Sequence, residues 1–223
     1  MTSPAEFQRR FQRTDEQNTT DFQKQMDAHR AKAEQVRQNA QQQIDRIGQR
    51  QELTLEAKRS AAARVYKPAR ATTQQLLEQH VDMVRQHKQA LARKAFGSDN
   101  AADPMTAMAR RQARQQAAGI QDHHEATEAI RNAQFDGDTH LARAIAAKAF
   151  ENGWHDVVDT WNADGSNNAY MQPLIELMQM PDTDNLQWRM ETAMQYAPPL
   201  PGVLEGMKDH EITRAAEEGP EVA

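Results

Sequence analysis

The chain has 223 residues, 26% of them charged and 5% aromatic, with a mean hydropathy of -0.92 and a net charge of -5. Such a chain has room for one modest core plus an extended part, and with no cysteine it has no disulfide, thiolate nucleophile or Cys-based metal motif. No apolar run approaches the ~18 residues that cross a bilayer, and the amino terminus is polar where a signal peptide is apolar, so no membrane partner and a cytoplasmic location are expected.

Charge is unevenly placed. Residues 1–70 carry a balance of +5, residues 71–135 of +1 and residues 136–223 of -11. This polarity steers a basic amino-terminal part toward an acidic neighbour, either nucleic acid or the carboxy-terminal part of another copy. The plainer reading is a solvated outer helix face.

Ser3 to Lys67 reads as one very long helix, or two end to end. Ser3-Pro4-Ala5-Glu6 is a start signal, with Ser3 as cap, Pro4 at the first helical position and Glu6 closing the box. Phe11, Phe22, Ala33, Ile44, Leu55 and Tyr66 recur every eleven residues, with Met26, Val36, Ala40, Ile47 and Ala62 beside that line. Eleven residues over three turns is a period of about 3.67, so the stripe runs nearly straight along the axis. A helix of this length spans roughly 95 Å, far more than a small domain, and its seam needs covering by other copies, a partner or the rest of the chain. The expected oligomer seam is therefore Phe11, Phe22, Met26, Val36, Ile44, Ile47, Leu55 and Tyr66. Two weak points interrupt it: Asn18-Thr19-Thr20, whose side chains compete for backbone hydrogen bonds, and Gly48.

Pro68 lacks a backbone donor and disfavours helical geometry at Lys67, which predicts an end or kink there. A second helix is expected from about Thr72 to Phe96, with Leu77, Val81, Val84, Leu91 and Ala95 on a short heptad seam that Lys88 interrupts. It either folds back on the first helix as an antiparallel hairpin or continues an oligomeric bundle. Gly97-Ser98-Asp99-Asn100 ends it, and Asp103-Pro104 opens a third helix that stops near Gly119.

Beyond Asp122 the segments shorten. Asp122 with Glu125 caps a helix to Phe135, Asp136-Gly137-Asp138 turns the chain, and Leu141 to Phe150 carries an apolar stripe ended by Asn152-Gly153. Val157, Val158 and Trp161 mark another short helix, Tyr170 to Met180 a further one stopped by Pro181, and Leu186 to Tyr196 the last clear one. Together they predict a helical bundle of about 75 residues. Ala197-Pro198-Pro199-Leu200-Pro201 is extended, and Leu204, Met207 and Ile212 lie on a further short helix in an acidic tail whose last residues are expected to be loose. The expected organisation is a rod or hairpin over 1–97, a connecting helix over 98–121, a bundle over 122–197 and a tail over 198–223.

Chemistry finds little foothold. His123-His124-Glu125 with Glu128 reads H-E-x-x-E, lacking the second histidine of a zincin helix, and helix capping explains it as well; no metal is expected. Asp164-Gly165 fails the register of a calcium loop, whose first ligand position falls on Thr160 and whose closing position falls on Met171. No phosphate loop, dinucleotide fingerprint or nucleophile elbow is present, so no enzyme and no cofactor are expected. Arg9-Arg10-Phe11-Gln12-Arg13 and Arg110-Arg111-Gln112-Ala113-Arg114 suit phosphates but have no reading module around them. Met171, Met178, Met180, Met190 and Met194 cluster in the last helices, where core filling is the plainer and favoured account, with Trp161 read as core. The sharper alternative makes Met178, Met190 and Met194 with Trp188 a candidate docking surface, because methionine also suits adaptable grooves.

Asp136-Gly137-Asp138-Thr139-His140-Leu141-Ala142, followed by Ala149, resembles the turn and second helix of a tetratricopeptide-type hairpin, in one copy and without a repeat. The stretch through Gly153-Trp154-His155-Asp156-Val157-Val158-Asp159-Thr160-Trp161, with Pro198-Pro199-Leu200-Pro201, is similar to small Ala- and Arg-rich helical proteins encoded among the structural genes of tailed phages infecting actinobacteria. That resemblance implies a role in building a virion, within the host cytoplasm or the particle, with no catalytic residues to carry over. The expectation is thus an all-α protein, with a long coiled-coil-like helix or hairpin followed by a small bundle. It is a self-associating structural or assembly protein whose partners are further copies and other structural proteins. The alternative is a helical adaptor or DNA-associated protein using the basic rod.

Overall fold

The structure, a computed structural model, describes residues 19–97 and 103–220. Among these the chain is all helical: α1 (Thr19–Gln49), α2 (Leu55–Phe96), α3 (Pro104–Ala118), α4 (His123–Phe135), α5 (Thr139–Glu151), α6 (His155–Trp161), α7 (Asn168–Gln179), α8 (Leu186–Tyr196), a single 3-10 turn (Gly202–Leu204) and α9 (Asp209–Glu218). No strand occurs among the described residues. Two units form, one from Gln86–Met180 and the other from Thr20–Arg85 with the described residues from Pro181 onward.

In the 86–180 unit, acidic side chains start α3, α4 and α5. The Asp103 carboxylate accepts from the backbone N–H of Met105 and Thr106 with Pro104 at the first helical position, and Asp122 accepts from His124 and Glu125. Asp138 accepts from Leu141 at 2.9 Å. Each bond supplies an acceptor for a donor that has no partner within the first turn. Gly137 and Gly153, at φ of 70° and 72°, close α4 and α5. At each, the next residue's N–H reaches back five positions, Asp138 to Ala133 and Trp154 to Ala149, both at 2.8 Å.

α5 is the centre of this unit, packing on α3, α4 and α6. Its buried face is Ala142, Ile145, Ala146 and Ala149, and the three alanines let neighbouring backbones come close. Ile130, Val157, Val158, Trp161, Met171 and Leu174 fill the same core. Phe96, from the end of α2, stands 5.7 Å from the Phe150 ring and 6.2 Å from the Trp161 ring. The Trp161 carbonyl, left without a helical partner where α6 ends, accepts from Gln134 Nε2 and Asn167 Nδ2.

The other unit departs from a continuous helix to Lys67. α1 ends one residue past Gly48, a turn intervenes, and Thr54 starts α2 by accepting from the Ala57 N–H at 3.2 Å. Lys58 Nζ donates to the Gly48 carbonyl at 2.9 Å, tying the end of one helix to the start of the next. Pro68 neither ends nor replaces this helix: it lies exposed within α2. Ala62, Tyr66, Ala69 and Thr73 are buried at helical spacing on both sides of it, so packing on that face outweighs the ~3 kcal/mol that proline costs in a helix interior.

The helices α1 and α2 form the antiparallel hairpin: His29 Nε2 lies 2.6 Å from the Leu76 carbonyl, and Ile44 packs with Ala62, Ala63 and Tyr66. Leu204 and Ile212 complete that core, which docks the described part of the acidic carboxy-terminal segment. Four basic side chains of α2 hold it. Arg59 donates to the Val203 carbonyl, Arg64 to the carbonyls of Ala216 and Gly219, Lys67 pairs with Glu217 at 2.5 Å, and Arg70 forks onto Asp209. Arg64 thereby satisfies carbonyls at the end of α9 and lies favourably at its negative pole. The Arg70 hydrogen bond holds the Asp209 carboxyl below the usual carboxylate range.

Because the Pro68 ring touches no core, Pro68→Ala restores a hydrogen bond without removing packing. It raises stability by about 1–2 kcal/mol, the propensity gain less the greater freedom of the unfolded chain. A rise in the urea midpoint followed by circular dichroism is the expected result; a fall means that the proline shapes the helix.

Candidate functional site

The side chains expected to form the oligomer seam are largely used within the chain. Met26, Ile44 and Tyr66 are buried, and Phe22, Val36 and Ile47 are half-buried. Leu55 departs from the set. At the first position of α2 it is 58% exposed, because the break at residues 50–54 interrupts the eleven-residue register. Phe11, the Ser3 cap, Arg9-Arg10-Phe11-Gln12-Arg13 and Ser98-Asp99-Asn100 lie outside the described residues.

The docking candidates separate. Met178 packs on the core of the 86–180 unit, whereas Trp188, Met190 and Met194 belong to α8 in the other. α8 starts at Asn185, whose side chain accepts from the Trp188 N–H at 3.1 Å. Its inner face carries Thr192 and Tyr196, both buried, and its outer face carries Leu186, Met190 and Met194 at 71%, 58% and 69% exposure. These three are spaced by four residues and so share one face of the helix. Trp188 is half-buried, its ring 6.1 Å from that of His80.

His80 is the hub of the inner face. Its Nδ1 is 2.7 Å from the Tyr196 hydroxyl, and its ring meets the Tyr196 ring edge-on at 5.4 Å. The His29 ring stands 6.2 Å from Tyr196. Burial, then the positive charge of Arg30 and the neighbouring His29, lowers the His80 pKa to about 4, so it is neutral near neutrality. Burial also raises the Tyr196 phenol. A neutral histidine and a neutral phenol form one hydrogen bond in the interior, which fastens α8 to the hairpin. Neither His80 nor Tyr196 stands in a motif, and the contact between them, 116 positions apart, arises only from packing.

The clusters with a chemical reading do not assemble. Glu128 and His124 are exposed on α4, Asp122 serves its cap, and the Glu125 carboxylate accepts from the Gln121 N–H. Asp164 accepts from the Ser166 N–H, as in an ordinary Asx turn. Among the described residues no group of three or more His, Asp or Glu side chains is placed to hold a metal, and no helix is long and apolar enough to cross a membrane.

Comparison with protein-family models, with curated proteins and with solved structures finds no match.

The His80 environment fixes a pH dependence. Its pKa is lower in the folded state, about 4 against an ordinary 6.5, so its contribution is complete above pH 6.5. It is lost as pH falls toward 4, where the unfolded chain takes a proton that the folded chain refuses, at about 1.4 kcal/mol per pH unit. Urea unfolding at about pH 6.5 and about pH 5 is expected to differ by roughly 2 kcal/mol from this group, and His80→Gln to remove most of that difference. An unchanged difference in the variant means another group carries it.

Proposed function

We propose that the chain is a non-enzymatic structural component that self-associates, and that copies meet through the outer face of α8. The observation carrying this reading is the row Leu186, Met190 and Met194, three large apolar side chains on one helix face that are mostly exposed. Apolar side chains grouped on one exposed face suit a contact surface, and unbranched methionine adapts to a facing surface at low strain. Each copy carries the same row, so a two-fold pairing buries it without any other component. The virion or head/tail assembly setting is proposed on the resemblance of residues 136–161 and 198–201 alone.

Assembly is favoured over duplex binding by the rod because the cations such binding needs on α2, Arg59, Arg64, Lys67 and Arg70, already serve the carboxy-terminal segment. Light scattering on the full chain tests the proposal. A mass that is a multiple of 25.3 kDa is expected at micromolar concentration, and Met190→Lys with Met194→Lys is expected to return the single-chain mass with unchanged helicity. A single-chain wild type, or an oligomer indifferent to both substitutions, rejects this contact.

A further inference from the structure

The end of α2, with α3 and α5, encloses a half-open hollow of about 510 Å³ in the 86–180 unit. Arg93, Arg110, Arg111, Arg114 and Arg143 line it together with His140, and none of the described residues lining it is acidic. Alanines on all three helices, among them Ala92, Ala107 and Ala144, keep it open. In a chain whose net charge is -5, five guanidiniums around one concavity run against the overall balance.

Local duties account for two of them. Arg93 sits in the last turn of α2, where a cation favours the helix pole, and Arg143 Nη1 donates to the Gly97 carbonyl at 2.9 Å while its guanidinium lies 4.2 Å from the centre of the Tyr170 ring. Neither account covers Arg110, Arg111 and Arg114, which enter no ion pair with another described residue. Arg110 is informative in itself: its Nε is buried and finds no acceptor among the described residues. A buried donor without an acceptor is a rare and costly arrangement, and here the donor is a charged group on the wall of the hollow.

We propose that this hollow binds a small oligophosphate anion. Guanidinium forks match phosphate oxygens in pairs, and several forks around one concavity suit several linked phosphates. The volume falls in the range of small-ligand sites. A single carboxylate leaves most of the charge uncompensated. A nucleic-acid duplex, being convex, is read by cations laid along a face and not by cations converging into a hollow. The inference is independent of the α8 contact.

The test is calorimetric titration of the full chain with inorganic triphosphate at low ionic strength. Saturable binding at one site per chain is expected, weakened about tenfold or more by Arg110→Gln with Arg114→Gln and likewise by Arg93→Gln with Arg111→Gln, each checked for unchanged helicity. Lys24→Gln with Lys32→Gln, on exposed positions of α1, is expected to leave it within about twofold. Three results overturn the proposal: no saturable binding at millimolar triphosphate, equal weakening by the α1 control, or binding of duplex DNA that triphosphate does not displace.

Discussion

A polar helix of 31 residues with one narrow apolar line has to have that line covered, and the 20–85 and 181–220 parts of the molecule are built around doing so. α2 runs back along α1, and its Ala62 and Ala63 are buried in one core with Ile44. Two helices leave part of such a seam open. The 3-10 turn and α9 close it with Leu204 and Ile212, while the guanidiniums of Arg59 and Arg64 meet carbonyls that would otherwise be left without donors. Apolar burial and backbone satisfaction are thus achieved by the same contact.

The 86–180 unit solves a different problem, packing five short helices around a core poor in aromatics. α5 does this with alanine. Where side chains are small, helix axes draw together, and the larger residues of α4, α6 and α7 reach across to Trp161. The α4–α5 loop is short because it holds a stop and a start side by side: the left-handed Gly137, then the Asp138 cap.

How much of this was legible follows from where each signal resides. The caps at Asp103 and Asp122, the Gly137 and Gly153 stops and the core status of Trp161 and Met171 were readable, because each is set by a few neighbouring residues. Pro68 misled, since its cost is local while the compensation comes from Tyr66, Ala69 and Thr73 lying buried against distant segments. The eleven-residue line was real on α1 and again at Tyr66, yet its interruption at Leu55 depends on Thr54 starting a new helix, a signal that a good overall period conceals. The opposed charges of the two ends pointed to an acidic neighbour; that neighbour is the chain's own last residues. At the hollow, Arg110, Arg111 and Arg114 were visible as a cluster, but Arg93 and Arg143 join them only through tertiary packing.

The covering of the hairpin has a further consequence during synthesis. Arg64 and the α9 carbonyl it meets are 152 positions apart, so a chain leaving the ribosome exposes the α1–α2 hairpin long before its cover exists. Residues 86–180 are complete in the interval and have their own core, which lets them settle while the hairpin waits. A late-made segment therefore closes an early one, and a truncation near residue 200 leaves α1 and α2 with an open seam.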